Sequence, residues 1–218
     1  MGTTNILELM VEFGVKQLVF SSSSSVYGAN TKIPFAETDD VSKMISPYAI
    51  TKRAGELLCS YYAHLYGINI ACVRFFTVYG PRGRPDMAPY MFTFKIMNNQ
   101  PIERYGDGST LRDYTFISDI VDGVIAAMDS KGYEIYNLGN NSPISLNEFI
   151  ATIEEVTGRK ANIIQKPMQE GDVPMTYADL TKSSKILGYN PKVKLKEGLK
   201  KVYEWMQQDK IVDQNKLK

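Results

Sequence analysis

The chain has 218 residues, of which 44% are hydrophobic and 22% charged, and its 25 basic and 24 acidic residues give a formal charge of +1. This composition predicts a folded protein with a sizeable core, and it leaves no basic surface of the kind that binds nucleic acid or an anionic membrane. Only two cysteines, Cys59 and Cys72, are present, which excludes a disulfide framework or a four-ligand zinc site.

The start of the chain mixes apolar and acidic residues and has no basic segment or cleavage site, so it does not read as a signal peptide. No apolar run approaches the roughly 20 residues that cross a bilayer. These features predict a cytoplasmic protein with no membrane partner.

The first third of the chain predicts a strand, a long helix and a second strand. Apolar spacing indicates a helix over Thr4–Phe13 and a buried strand over Lys16–Ser21. Ser46 as N-cap, with proline after it, begins a helix that ends at Gly67. A second buried strand follows over Ile68–Phe76. Such a unit is right-handed and its strands are parallel.

The rest of the chain alternates helices and strands after a loop rich in proline, glycine and arginine. Spacing and capping signals predict these elements: a helix over Tyr90–Asn98, a strand over Ile102–Tyr105, a helix capped by Ser118–Asp119 and ending at Met128, a strand over Glu134–Leu138, a helix from Ser145 to Gly158 with Glu148 in a capping box, a strand over Asn162–Gln165, and helices over Lys182–Leu187 and Leu195–Met206. The pattern indicates an α/β fold.

Tyr48 and Lys52 are four residues apart on the long helix, so their side chains share one face. A tyrosine acts as a general base near neutral pH only if a neighbouring cation stabilises its phenolate form. One match to this spacing is also expected by chance in a chain with fourteen tyrosines. The pair alone therefore leaves catalysis and coincidence both open.

Five serines, Ser21 to Ser25, follow the first buried strand. Open α/β sheets bind ligands at the carboxyl ends of their strands, so a hydroxyl there could relay a proton. The alternative is a solvated turn with redundant serines. Because the serines and the Tyr48 helix flank the same turn, the two motifs can converge.

Arg82, Arg84 and Arg112 are candidates for binding anionic groups, since guanidinium groups match phosphate and carboxylate oxygens. Solvated surface is the alternative for each of them. His64, the only histidine, lies near the end of the long helix, where a structural role is favoured over catalysis.

Six ordered segments resemble the extended short-chain dehydrogenase/reductases of the NAD-dependent epimerase/dehydratase family, and most of all the bacterial UDP-glucuronate 4-epimerases. The segments are SSSSSVYG (21–28), SPYAITK (46–52), RFFTVYGPRGRPDMA (74–88), YGDGSTLRDYTFISDI (105–120), YNLGN (136–140) and GDVPMTYAD (171–179). Together they cover nearly the whole chain.

The resemblance implies that Tyr48 is the base, that Lys52 stabilises its phenolate and binds the nicotinamide ribose, and that Ser23 is the catalytic hydroxyl. The C4 hydride would move to NAD⁺, and a 4-keto sugar would rotate and take the hydride back on its other face. Further residues match positions that contact the cofactor (Ser21, Phe75, Phe76, Pro81) or the UDP-sugar (Ser24, Ser25, Thr77, Arg84, Met87, Arg112, Asp172).

Related activities differ at a few of these positions. Dehydratases carry acidic residues where this chain has Ser24 and Ser25, so the resemblance disfavours dehydration. UDP-galactose 4-epimerases usually have Asn at the position of Thr77 and Arg at that of Gln169, which favours the uronic acid branch. A UDP-glucuronate decarboxylase, a UDP-galactose 4-epimerase and a 4-reductase stay open as alternatives.

Family members begin with a strand and a G-x-x-G-x-x-G turn that holds the NAD pyrophosphate, and this sequence contains no such turn. The resemblance therefore implies the C-terminal part of a Rossmann-like, doubly wound parallel sheet over 1–80, with a small α/β nucleotide-sugar-binding domain mainly over 81–218 and a return to the sheet over 113–140. We expect the 218 residues alone to bind NAD weakly and to fold poorly. A catalytically inactive fragment is the alternative.

The resemblance also implies an oligomeric state. Family members commonly form homodimers in which helices, here including Pro47–Tyr66, build a four-helix bundle.

Overall fold

The computed structural model describes residues 2–168 and 173–209, which form an α/β fold with three packed clusters. The predicted fold class is confirmed. Its elements, in chain order, are α1 (Gly2–Glu12), β1 (Gln17–Ser23), a 3₁₀ turn (Ser24–Tyr27), α2 (Pro47–Tyr66), β2 (Asn69–Phe75), β3 (Thr77–Tyr79), α3 (Ala88–Met97), β4 (Pro101–Tyr105), β5 (Leu111–Phe116), α4 (Ile117–Ala127), β6 (Tyr133–Leu138), β7 (Pro143–Ser145), α5 (Leu146–Thr157), β8 (Asn162–Lys166), β9 (Met175–Thr176), α6 (Thr181–Leu187) and α7 (Leu195–Gln208).

The strands β1, β2 and β6 form a parallel sheet in that order. One face of the sheet packs against α1 and α2 through a cluster that contains Leu7, Cys59 and Cys72. The other face is covered by α4 and α6 around Val73, Ile120 and Leu138. The central strand β2 is buried on both faces, and its apolar run over Ile70–Val73 lies in the buried strand that the sequence predicts. The apolar residues of β1, Leu18 to Phe20, are only half-buried.

The remaining strands form two smaller groups beside this sheet. In one, β5 pairs with β3, β7 and β9, and in the other β4 pairs with β8. A third cluster, centred on Phe94, Phe149 and Leu199, packs α3, α5 and α7 together. The division of the chain at residue 80 stays a prediction.

The ends of α2 follow the predicted capping signals. The Ser46 side chain accepts a hydrogen bond from the Ala49 N–H at 3.1 Å, and Pro47 occupies the first turn. Gly67 ends the helix with φ 62° and ψ 36°, the left-handed conformation that glycine adopts without strain. These caps fix which residues of α2 reach the end of β1.

The predicted cap of α4 is wrong. Helix α4 begins at Ile117, two residues before Asp119, with Phe116 as an N-cap that makes no side-chain hydrogen bond. Asp119 lies inside the first turn and is buried, and its carboxylate accepts a hydrogen bond from the Val193 N–H at 3.0 Å. The local pattern assigned this carboxylate to a helix cap. In the structure it binds a backbone N–H group 74 residues away along the chain instead.

Gly28 lies where the chain turns back after the 3₁₀ turn, with φ 56° and ψ −127°. A Cβ added there would lie 2.0 Å from the Lys43 carbonyl oxygen. We expect Gly28→Ala to lower the free energy of unfolding by more than about 2 kcal/mol, because the backbone strain and the atomic overlap both destabilise the folded state. Chemical denaturation measures this loss.

Gly132→Ala is the matched control, since its φ is 65° and a Cβ added there would have no atom within 4 Å. Only the backbone strain remains at this position, so the substitution should cost about 1–2 kcal/mol. Equal losses in the two variants would contradict the prediction.

Candidate active site

The serine run forms the carboxyl end of β1 and the turn that leaves it. Ser22 and Ser23 are the last residues of the strand, and the Ser23 hydroxyl accepts a hydrogen bond from the Ser25 N–H at 3.1 Å. This bond caps the 3₁₀ turn that begins at Ser24. The serines therefore shape a specific turn at the sheet edge.

Tyr48 and Lys52 lie on the first two turns of α2, above the end of β1. The Lys52 Nζ donates a hydrogen bond to the Ser21 carbonyl oxygen at 2.9 Å and lies 5.7 Å from the centre of the Tyr48 ring. Tyr48 is 54% exposed, while Lys52 is half-buried. The spacing along the helix thus brings the ammonium close to the phenol, as the sequence predicts.

A cavity of about 840 Å³ opens at the carboxyl ends of β1 and β2. Arg82 lines it, and so do eight of the residues to which the resemblance assigns a role: Ser23, Ser24, Tyr48, Phe75, Phe76, Thr77, Arg84 and Met87. Ligand sites of open α/β sheets lie at this position. The cavity brings together hydroxyl groups, a phenol, a guanidinium and an aromatic wall.

A second cavity of about 540 Å³ shares Thr77, Met87 and Pro89 with the first. Arg112 lines it, and its Nη1 donates to the Leu111 and Val173 carbonyl oxygens at 2.9 and 2.8 Å. The sequence reasoning missed Lys95 and Tyr105, which also line this cavity. No local pattern identifies them, because they reach it from α3 and β4.

The loop between β3 and α3 presents two arginines to the first cavity. Arg82 has a left-handed backbone with φ 62°, which is uncommon for a residue with a side chain. Arg84 forms a two-pronged pair with the exposed Asp86, at 3.1 and 2.5 Å. Hydrogen bonding to Asp86 raises the pKa of Arg84, and the same bond lowers the pKa of Asp86. Both side chains are exposed, so a ligand carboxylate can reach Arg84 if it takes the place of Asp86.

Five described residues to which the resemblance assigns a role do not line the first cavity: Ser21, Ser25, Lys52, Pro81 and Arg112. Ser21 is exposed and meets Lys52 through its carbonyl group. Ser25 has a buried hydroxyl without a hydrogen-bond partner among the described residues. Pro81 lies between Gly80 and Arg82, which both line the cavity. Asp172 lies outside the described residues.

Two buried charged residues beneath the site, Glu56 and Arg74, were also missed. They are 0% and 1% exposed and form an ion pair between α2 and β2. Their separation of 18 residues follows no local pattern. A charged residue inside an apolar strand is the one signal that could have identified Arg74.

In the part of the chain that the structure describes, no group of three or more His, Cys, Asp or Glu side chains is placed to hold a metal ion. No helix within 2–168 and 173–209 combines the length and the apolar content that crossing a membrane requires. Cys59 and Cys72 are both buried and free.

Comparison with known proteins gives a consistent family. Residues 1–139 match the NAD-dependent epimerase/dehydratase family. A UDP-glucuronate 4-epimerase of Thermodesulfobacterium geofontis is 46% identical over 209 residues, which cover 95% of this chain and 64% of that relative. The chain therefore spans less than two thirds of the length of this relative.

Two solved structures have the same arrangement of elements. UDP-glucose 4-epimerase from Thermotoga maritima, solved with UDP-glucose, gives a TM-score of 0.91 at 33% identity and is matched over 95% of this chain and 69% of that chain. UDP-glucuronic acid 4-epimerase from Bacillus cereus, solved with UDP-glucuronic acid and NAD, gives a TM-score of 0.88 at 34% identity. The match covers 94% of this chain and 66% of that chain.

Proposed function

This chain belongs to the NAD-dependent epimerase/dehydratase family, and we propose that it carries out the NAD-dependent epimerisation of a UDP-sugar at C4, with UDP-glucuronate as substrate and UDP-galacturonate as product. One observation carries this proposal. The Tyr48 phenol and the Ser23 hydroxyl line the same cavity as Arg84, so an acid–base pair lies beside a group that binds carboxylates.

The residues at the ends of β1 and β2 fit a nicotinamide cofactor. Phe75 and Phe76 supply an apolar wall, and the half-buried Lys52 ammonium lies at the same sheet edge. We assign cofactor contacts to Ser21, Tyr48, Lys52, Phe75, Phe76 and Pro81. When bound there, NAD⁺ would supply the acceptor and later the donor of the C4 hydride. The pyrophosphate contacts are not assigned, because the sequence contains no G-x-x-G-x-x-G turn.

The protein residues would move the proton. The Tyr48 phenolate takes the proton of the C4 hydroxyl as the C4 hydrogen leaves with its electron pair, which gives a 4-keto sugar. After the sugar has turned its other face, Tyr48 returns the proton to the C4 oxygen. The Lys52 ammonium stabilises the phenolate, and the Ser23 hydroxyl orients or relays the proton.

The two cavities support the proposed sugar and nucleotide contacts. Arg84 would bind the carboxylate of glucuronate, together with the cavity-lining hydroxyls of Ser24 and Thr77 and the adjacent Met87. The assignment of the buried Ser25 hydroxyl to the substrate stays a prediction. Arg112 would bind the diphosphate from the second cavity. The assignment of Asp172 to the nucleotide stays a prediction. Dehydratases of the family carry acidic residues where this chain has Ser24 and Ser25, and this difference supports epimerisation over elimination of water.

The test of the proposal is product analysis by NMR after the full-length protein is incubated with UDP-glucuronate and, separately, with UDP-glucose. We expect UDP-galacturonate from the first and little product from the second. UDP-galactose as the main product would replace the proposal with a UDP-galactose 4-epimerase, the activity class that the T. maritima structure favours. A pentose product would mean decarboxylation, and no product from any UDP-sugar would refute the proposed activity.

We also propose a cytoplasmic homodimer that forms through α1 and α2. These helices expose apolar side chains that a second copy would cover: Ile6 and Leu9 on α1, Phe13 directly after it, and Ile50, Leu57, Tyr61 and Leu65 on α2. Apolar stripes on two adjacent helices suit a four-helix bundle. The free, buried cysteines fit the reducing cytoplasm.

Leu57→Glu is expected to shift the protein from dimer to monomer, because it places a carboxylate in the centre of the apolar stripe. Size-exclusion chromatography with light scattering measures the mass. Ile186→Glu on α6 is the matched control, since both side chains are 56% exposed. A wild-type protein that is already monomeric, or a Leu57→Glu variant that stays dimeric, would refute this interface.

A further inference from the structure

The carboxylate of Glu56 lies under the candidate active site, one helical turn after Lys52 on α2. Glu56 is fully buried. It faces the sheet and not the cavity, so the proposed chemistry does not use it directly. A buried carboxylate is costly unless it is paired and hydrogen-bonded, and the partners of Glu56 show what the residue holds together.

Two strands supply these partners. The Arg74 guanidinium on β2 donates from Nε to Oε1 at 2.8 Å and from Nη2 to Oε2 at 2.9 Å. The Ser22 hydroxyl on β1 donates to Oε1 at 2.6 Å. Ser22 and Arg74 are also paired across the two strands of the sheet. We call Ser22, Glu56 and Arg74 the Glu56 clamp; it joins α2 to β1 and β2 at one point.

The groups around the Glu56 clamp stabilise the ionised form of the carboxylate. Burial alone would raise the pKa of Glu56. The hydrogen bonds and charge of Arg74, together with the hydrogen bonds of Ser22 and Arg53, outweigh this effect, so the pKa of Glu56 lies below its usual value. The Arg53 Nη1 lies 3.0 Å from Oε2. The Arg74 guanidinium carbon lies 4.8 Å from the centre of the Tyr27 ring, a cation–π distance. The carboxylate is therefore held ionised.

Every residue of the clamp has a neighbour in the candidate active site. Ser22 lies between Ser21, whose carbonyl binds Lys52, and Ser23. Arg74 directly precedes Phe75, which lines the first cavity. Glu56 is one turn from Lys52 and two turns from Tyr48. A shift of α2 along the sheet would change all of these positions together.

We propose that Glu56 is a positioning residue, which fixes α2 against the ends of β1 and β2 so that Lys52 and Tyr48 face the serine turn. The inference rests on the proposed function. Buried ion pairs add little net stability over apolar residues of similar size. Their two-pronged geometry, in contrast, defines direction and distance, and catalysis is sensitive to such placement: an error of 1 Å can cost about a hundredfold in rate.

The test compares Glu56→Gln with the wild type in the full-length protein. Glutamine keeps the size of the side chain. Its NH₂ group is a donor that cannot accept a hydrogen bond from Arg74, so one bond of the ion pair is lost and the clamp opens. We expect kcat to fall about a hundredfold with little change in KM. A merely structural residue would lower the amount of folded enzyme and its melting temperature, while kcat per folded molecule would stay at the wild-type value.

A second measurement does not depend on turnover. Cys59 on α2 and Cys72 on β2 are the only cysteines among the 218 residues, and both are fully buried between the helix and the sheet. Mass spectrometry of the labelled peptides follows these two sites in the full-length protein. Their rate of reaction with a thiol reagent therefore reports how often α2 opens from the sheet. We expect this rate to rise about tenfold or more in Glu56→Gln, because bonds to a charged group are lost.

Ile153→Ala is the control, since Ile153 is fully buried on α5 in a different cluster. It should lower the melting temperature without raising thiol reactivity below the transition or lowering kcat. If Glu56→Gln does not fold, Ser22→Ala replaces it, because that change removes one bond and keeps the ion pair; its kcat should fall and its thiol reactivity rise, both less than in Glu56→Gln.

An unchanged kcat per folded molecule, or unchanged thiol reactivity, in the variant that is tested would overturn the positioning role. A wild-type protein that converts no UDP-sugar would refute the proposed function instead. Thiol reactivity then still decides whether the clamp holds α2 on the sheet.

Discussion

In the full-length protein, the Tyr48→Phe variant is expected to convert UDP-glucuronate about a thousandfold more slowly than the wild type, because general base catalysis contributes about 10²–10⁴ in rate. Phenylalanine keeps the ring and removes only the hydroxyl that takes and returns the C4 proton. Tyr48 is more than half exposed, so stability should change little. The affinity for UDP should also be retained, since the nucleotide contacts are assigned to the second cavity.

Steady-state kinetics and calorimetric titration with UDP measure the two quantities. Tyr66→Phe is the matched control, because Tyr66 lies on the same helix, is exposed at 40%, lines neither cavity and is not among the residues of the proposed dimer interface. It should have wild-type activity. A Tyr48→Phe variant with near-normal kcat would show that another group is the base.

Replacing Asp113 with alanine is expected to lower the free energy of unfolding by about 3 kcal/mol or more. Asp113 is fully buried on β5, and its oxygens accept hydrogen bonds from the backbone N–H groups of Asn140, Asn141 and Ala178 at 2.8, 3.1 and 3.0 Å. Alanine would leave these buried donors without an acceptor, at about 1–3 kcal/mol each. The loop after β6 and the segment before α6 would lose their shared anchor.

Chemical denaturation checks this loss, with Asp122→Ala on the exposed face of α4 as the control for removal of a carboxylate. The control should stay within about 0.5 kcal/mol of the wild type. Asp113→Asn keeps one acceptor oxygen and should lose less than alanine. A small loss in Asp113→Ala would mean that water or a rearranged loop satisfies the donors.

The contribution of Asp113 to the free energy of unfolding should change with pH in one direction. Burial raises the pKa of this carboxyl, although the backbone donors lower it. A group whose folded pKa is raised contributes its stability fully below the unfolded pKa and loses it as the pH rises through the folded pKa. The difference in the free energy of unfolding between wild type and Asp113→Ala is therefore expected to be larger at a pH below the unfolded aspartate pKa of about 3.9 than at neutral pH.

Local sequence patterns predicted the elements that carry the proposed chemistry. The N-cap at Ser46 and the glycine at position 67 defined α2, and the spacing of Tyr48 and Lys52 placed both side chains on one face. The apolar runs of β1 and β2 predicted a parallel pair, which is confirmed. These features depend on contacts within a few residues, so periodicity and capping suffice to identify them.

Other features of the fold had no local signal. The strands β3, β7 and β9 are two or three residues long, and they exist because β5 offers them partners across the fold. The cap predicted at Ser118 and Asp119 is wrong, since α4 begins at Ile117 and the Asp119 carboxylate binds the distant Val193 N–H. The division of the chain into domains and the roles of the site residues stay predictions.

The sequence by itself determined the α/β class, the helix that carries Tyr48 and Lys52, and the strand end that carries the serines, since each depends on neighbours along the chain. Only the tertiary structure decided that Glu56 binds Ser22 and Arg74, that Asp113 anchors two distant loops, and that Arg84 shares a cavity with Tyr48. These contacts join residues that are 18 to 65 positions apart. Their geometry depends on how the sheets and helices pack, which no short window of the sequence contains.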